Sequence, residues 1–382
     1  MDISPLFKLM AEKEASDMFI TADSPVYLKI KGTLKSVADR LVTADEIDGM
    51  ISHIISTDEY SEFKVKNDFD TSLFVEGVGR FRLNFFVQKG SPGMVARRIS
   101  TELPTLDELG LPPQLANISM SNTGLVLIVG GTGSGKSTTL AALVNHRNIN
   151  KDGHIITIED PVEFVHEHKK SIITQREVGK DSESYRTALR SALRQAPDVL
   201  LIGEIRDRES MEAAISFAET GHLVMGTLHA NNAPQTLDRI FGFFPHETHD
   251  MLKLQLSQTL SAVLAQRLIK AKRRGERFLA IEFMTVTSRI SDLILKGDFK
   301  TVKSAIERSA GQGMITFDES LYGLYKAGKI DMEIALSYSD SPTDLRLRIR
   351  SEEEKEMPTN IKLMEEPRSE GGADNDLPEF DQ

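Results

Sequence analysis

Lys136, Ser137 and Thr138 follow four glycines, Gly130, Gly131, Gly133 and Gly135, within the stretch "LVLIVGGTGSGKSTTL". A lysine and hydroxyls behind a glycine turn suit the binding of phosphate. Glycines let backbone N–H groups converge on an anion, the ammonium adds a mobile positive charge, and a hydroxyl can ligate Mg²⁺. Gly130-x4-Gly135-Lys136-Ser137 fits the P-loop pattern in full, so the chain is expected to bind a nucleoside triphosphate, with Lys136 on the β and γ phosphates and Ser137 on Mg²⁺.

Hydrolysing a phosphoanhydride also needs a carboxylate to orient or deprotonate water and another to support the metal. "IITIEDPVEFVHEH" offers Glu159, Asp160 and Glu163 after a candidate strand. "PDVLLIGEIRD" is a second apolar strand ending in a carboxylate, with Gly203–Glu204 where many P-loop enzymes have Asp-Glu. Glu204 is thus expected to meet the Mg²⁺ shell alone. His222 and His229 bracket the apolar "LVMGTL". On a strand they would lie about 23 Å apart at roughly 3.3 Å per residue and on opposite faces, so they cannot share a metal. His229, at the carboxyl end, is the candidate γ-phosphate sensor and His222 a structural residue. Candidate counter-charges for the transferring phosphoryl group are Arg82, Arg97, Arg176, Arg190, Arg194, Arg206 and Arg239.

Two further patterns are set aside. His246 and His249 in "HETH" lack the third ligand of a zincin. "RLIKAKRRGER" is basic but short and without aromatics, in a chain of net charge −11, so no nucleic-acid partner is expected.

The elements that must position these residues follow from patterning. Apolar segments at Leu125–Val129, Ile155–Ile158, Val199–Ile202 and Leu223–Thr227 alternate with helical stretches, which predicts an α/β fold with a parallel sheet covered on both faces. From about Asp250 the pattern reads as helical, "DMLKLQLSQTLSAVLAQRLI" included. Residues 1–100 read as a smaller α/β module. Ser4 is its first candidate helix cap, with hairpins expected near Lys31–Gly32 and Gly77–Gly79. "TELPTLDELGLPPQL" carries three prolines, placing a linker over 101–118 and the nucleotide-binding domain over 119–350. From Ser351 to Gln382 there are 11 acidic and 3 basic residues, which reads as a disordered acidic tail. The chain has no cysteine, no apolar run long enough to span a bilayer and no signal-peptide pattern at Met1, so a cytoplasmic location is expected.

Taken together, "GGTGSGKST", "TIEDPVEFVHE", "LLIGEIRD" and "AETGHLVMGTLHANNA" resemble the Walker A, Asp-box, Walker B and His-box motifs of the type II/IV secretion ATPase family. The resemblance spans essentially residues 1–350. "GRFRLNF" is similar to part of the PAS-like amino-terminal domain of its pilus retraction members. "RQAPDVLLIGEIRDRESMEAAISFAETGHL" and "DSPTDLRLRIR" look closer to accessory PilU-type members than to PilT-type motors, and "SRISDLILKG" matches only part of a PilT motif.

The resemblance implies a PAS-like domain followed by a RecA-like ATPase domain with a helical carboxy-terminal part, assembled as a homohexamer. It implies ATP hydrolysis with Mg²⁺ for pilus retraction and twitching motility. The implied setting is the inner-membrane base of the pilus machine, with a platform protein and a PilT-type retraction ATPase as partners. By motif position, Gly130, Gly131, Thr132, Gly133, Ser134, Gly135, Lys136, Ser137 and Thr138 would hold phosphates, and Arg82, Arg97 and His229 would contact nucleotide. Ser137, Glu159 and Glu204 would surround Mg²⁺, partly through water, and Glu163 would be the general base. The alternatives within this reading are a pilus assembly or type II secretion ATPase, and a scaffold subunit dependent on a partner motor.

Overall fold

The structure, a computed structural model, describes residues 3–30, 32–99, 103–270 and 277–356. Its first element is α1 (Ser4–Glu12), whose cap position is Ile3, so Ser4 is the first helical residue and not its cap. Strands β1 (Ala15–Thr21), β2 (Tyr27–Ile30) and β3 (Thr33–Ser36) lead to α2 (Ala44–Ile54) and α3 (Thr57–Lys66). Both helices open with capping boxes, Thr43 with Glu46 and Ser56 with Glu59, which satisfy amides that the helices leave unpaired. β4 (Asp68–Val75), β5 (Gly79–Gln88) and β6 (Ser91–Ile99) complete a sheet of order β3-β2-β1-β6-β5-β4.

Alternation decides which face of that sheet is core. Phe81, Leu83 and Phe85 of β5 are buried with Phe7, Met10 and Ile47, whereas Arg80 and Arg82 sit on the other face. Register places Arg82 opposite Ser72 of β4 and Arg97 of β6. Lys31, at the tip of the expected β2–β3 hairpin, lies outside the described residues, while the pairing of its two strands is as expected.

The expected linker contains a helix, α4 (Pro113–Ser119). β7 (Gly124–Gly130) is buried at all seven positions, as befits a strand covered on both faces. α5 (Lys136–Asn150), β8 (Gly153–Glu159), β9 (Ser171–Glu177), α6 (Tyr185–Ala192), β10 (Val199–Ile202), α7 (Arg208–Glu219), β11 (Leu223–Leu228) and α8 (Ala233–Gly242) follow. The chain then forms α9 (His249–Thr259), β12 (Leu260–Lys270) and β13 (Arg277–Thr285). The second sheet has the order β13-β12-β7-β11-β10-β8-β9, and its pairs from β12 to β9 are all parallel.

One expectation is corrected here. The stretch read as a continuous helix after Asp250 is helical only to Thr259, and Leu260–Lys270 is a strand on the free edge of β7. Ala262–Gln266 is buried throughout, so no polar face marks its period, and pairing satisfies the β7 backbone. Helices do dominate afterwards: α10 (Ser288–Lys296), α11 (Val302–Arg308), α12 (Phe317–Lys326), α13 (Met332–Tyr338) and α14 (Pro342–Glu356). α14 also carries helix past Ser351, where a disordered tail was expected to start; residues 357–382 of that tail lie outside the described residues. Part of the "RLIKAKRRGER" run, 271–276, does as well.

The described residues up to Leu268 and Ile281–Ile315 form one compact unit, holding the small sheet and the core of the second sheet. Those of Ile269–Ala280 and from Thr316 onward form another. In the second unit Arg348 pairs with Glu319 and lies over the Tyr322 ring. No helix among the described residues is long and apolar enough to cross a membrane.

Candidate active site

The carboxyl ends of the parallel strands β7, β8, β10 and β11 converge on one cavity of about 570 Å³, as ligand crevices do in open α/β sheets. The loop after β7 forms one wall. Gly130, Gly133 and Gly135 have φ of 152°, 74° and 95°, which a side chain would oppose. A Cβ on Gly130 would also meet the Gln266 carbonyl and the Ser134 hydroxyl, both at 2.5 Å. Gly131 has no positive φ and open space around it, so its role in the turn is smaller than its neighbours'. Gly135 caps α5 without any side-chain hydrogen bond, and the first amides of that helix are left for an anion.

Thr132, Gly133, Gly135, Lys136, Ser137 and Thr138 line the cavity. Gly130 and Gly131 line an adjoining cleft of about 300 Å³ with His229 and Arg239. Ser134 is buried, and lines neither space. The Lys136 ammonium donates to the carbonyls of Gly130 at 3.0 Å and Gly131 at 2.9 Å. Burial lowers its pKa, and the carboxylates of Glu204 and Glu163 oppose that shift. Gln266 of β12 braces the loop from behind by donating to the Thr139 hydroxyl at 2.7 Å.

Opposite the loop stand the carboxylates. Gly203, just past β10, sits where a Cβ would lie 3.1 Å from the Glu159 Cα and 3.3 Å from the Tyr185 hydroxyl. A side chain there would push β8 and Tyr185 aside, which accounts for glycine in the Gly203–Glu204 pair. Glu204 accepts from Arg206 at 2.6 Å through one oxygen, and its other oxygen lies 3.1 Å from His229 Nε2. Burial works against its charge, but the Arg206 hydrogen bond and the positive charges of Arg206 and Lys136, with His229 alongside, prevail and lower its pKa.

Glu159 behaves differently. Its Oε1 accepts from the Thr157 hydroxyl at 2.7 Å and from Gln175 at 3.3 Å, and burial pushes its pKa up against those bonds. Its Oε1 is therefore engaged by the protein's own donors. Glu163 lies on the loop between, lines the cavity and is exposed to it. The Asp160–Pro161 peptide that enters this loop is cis. Tyr185, whose pKa is raised chiefly by burial, and Arg206, 3.7 Å from Asp160, complete the wall.

Among the described residues, no group of three His, Cys, Asp or Glu could hold a metal alone. Ser137 and Glu204 supply hard oxygen donors, a set suited to Mg²⁺, which keeps waters and substrate phosphates in its shell.

His222 is structural, as expected: Nδ1 lies 3.0 Å from the Phe217 carbonyl and 3.1 Å from the Thr220 hydroxyl, and its ring meets Phe217 edge-on. His249 Nε2 faces the carbonyls of Phe241 and Phe244. Arg82 and Arg97 do not line this chain's cavity. Arg82 lies 3.7 Å from Asp70, and Arg97 donates to the buried Asp17 at 2.7 Å. Arg176 donates to the Asp181 carbonyl. Tyr185, Thr157 and Gln175 carried no recognisable spacing in the sequence; only their position at strand ends and on α6 brings them here.

Comparison with known proteins sets this site in a lineage. Residues 2–308 match the profile of the family described as type II/IV secretion system protein. A relative from Pseudomonas aeruginosa described as type IV pilus ATPase PilU is 45% identical over 350 residues, covering 92% of each chain. The type IV pilus retraction ATPase PilT of the same organism is 41% identical over 342 residues, covering 90% of this chain and 99% of its own. The crystal structure of the pilus retraction motor PilT with bound ADP superposes with a TM-score of 0.84 at 40% identity, over 91% of this chain and 99% of that one.

Proposed function

The chain belongs to the type II/IV secretion system protein family, and we infer from that membership and its site that it is a PilU-like ATPase of type IV pilus retraction, serving twitching motility. The observation that carries this reading is the convergence of Lys136, Glu163 and Glu204 on one cavity behind a complete phosphate loop.

In this reading the loop amides and the Lys136 ammonium hold the β and γ phosphates. Ser137 and Glu204 would hold Mg²⁺, which when bound neutralises charge on the phosphate oxygens. Glu163 orients the attacking water and takes its proton. Arg206 keeps Glu204 ionised, and His229 Nε2 lies 3.1 Å from its other oxygen. Arg82 and Arg97, exposed on one face of the small sheet, act on the nucleotide of a neighbouring subunit in a homohexamer. The motor works from the cytoplasmic side of the inner membrane, against a platform protein and beside a PilT-type ATPase.

Phosphate release by the purified full-length protein tests the catalytic part. Lys136→Ala should abolish turnover, and Glu163→Gln should retain ATP binding while slowing kcat by roughly 10²- to 10⁴-fold. Rapid phosphate release by the Glu163→Gln protein would sink the base assignment.

A further inference from the structure

The loop that carries Glu163 is held from β9 on both sides of the glutamate. On one side, Gln175 Nε2 donates to the Phe164 carbonyl at 2.9 Å and its Oε1 accepts from the His166 amide at 2.8 Å. On the other, Glu177 Oε2 accepts from the Val162 amide at 3.3 Å. Glu177 is only 7% exposed. A carboxylate so buried needs a counter-charge, and it comes from the small sheet: Arg80 Nη2 of β5 lies 3.5 Å from Glu177 Oε2. The same guanidinium donates to the Ser72 hydroxyl at 3.1 Å. Lys180, just past β9, donates to the carbonyl and hydroxyl of Ser72 at 2.8 and 2.6 Å. A continuous line of polar contacts thus runs from β4 and β5, through Glu177, to the residue before Glu163.

We propose that Gln175 and Glu177 are positioning residues for Glu163, and that Arg80 of the amino-terminal sheet sets that position through Glu177. The proposal rests on Glu163 being the base. Neither side chain touches the cavity contents; both fix the backbone on which the base is carried. Displacement of a catalytic group by about 1 Å is worth up to roughly 10²-fold in rate, so the strut has enough leverage to matter.

The test is steady-state ATP hydrolysis by the full chain, with ATP affinity measured separately by a fluorescent ATP analogue. Glu177→Ala should lower kcat by about 10- to 100-fold with affinity within about twofold of wild type. Glu177→Gln keeps an acceptor for the Val162 amide and should retain more kcat than Glu177→Ala. Arg80→Met should lower kcat, and adding it to Glu177→Ala should cause no further loss. Wild-type kcat in folded Glu177→Ala, equal losses in the Ala and Gln variants, or additive losses in the double variant would each overturn the proposal. If Glu177→Ala does not fold, Gln175→Ala carries the test, and wild-type kcat there overturns it. Absence of hydrolysis by the wild-type protein would instead refute the ATPase reading itself.

Discussion

At the scale of single residues, environment separates side chains of the same type. Glu204 and Glu159 both end buried strands beside the phosphate loop. One lies beside Arg206, His229 and Lys136 and has its pKa lowered, whereas the other has its pKa raised by burial, against its hydrogen bonds from Thr157 and Gln175. His166 shows the same principle. It is buried, burial and the nearby Lys169 charge lower its pKa to about 4, and it stays neutral in the folded protein. The unfolded chain protonates it at about 6.5. Below that pH the unfolded state binds the extra proton, so stability falls as pH drops from 6.5 toward 4 and is unaffected above 6.5. From this site alone the loss at pH 5 is about 2 kcal/mol. Denaturant midpoints at pH 7 and pH 5 should therefore differ less in His166→Gln than in wild type. An unchanged difference would show that His166 is not held neutral by the fold.

At the scale of elements, function depends on strands stopping at the right place. Gly203 lets β10 run close beside β8 before delivering Glu204. Gly203→Ala should cost about 1–3 kcal/mol through overpacking and lower kcat by shifting Glu159 and Tyr185. Thermal melting and hydrolysis rates check this, and an unchanged kcat in the folded variant would contradict the packing argument.

Legibility in the sequence follows the same physics. β7, β10 and β11 could be read because they are short apolar runs bounded by glycine or a polar turn, and β8 because its apolar run ends in Glu159. The phosphate loop and its carboxylates could then be placed at their ends. β12 was legible only as apolar: burial on both faces erases the period, and "LSAVLAQRLIK" has helix-compatible residues. β9 is an outer strand of mixed polarity, "SIITQRE", so neither it nor the roles of Gln175 and Glu177 could be seen before the register was known. Arg82 and Arg97 were legible as charges, but their ion pairs with Asp70 and Asp17 come from cross-strand neighbours.

At the scale of the whole molecule, the proposed function has the exposed arginines of the small sheet completing a neighbouring subunit's site in a ring. A motor of this kind converts hydrolysis into work on a fibre, and that work is visible at the cell surface. In the proposed function that work is retraction. The most direct measurement is the number of surface pili, by electron microscopy, in a strain lacking only this gene. Retraction predicts an excess of pili over the parent strain. Bald cells would contradict it and indicate an assembly motor, and unchanged numbers would contradict a retraction role while leaving the ATPase assignment intact.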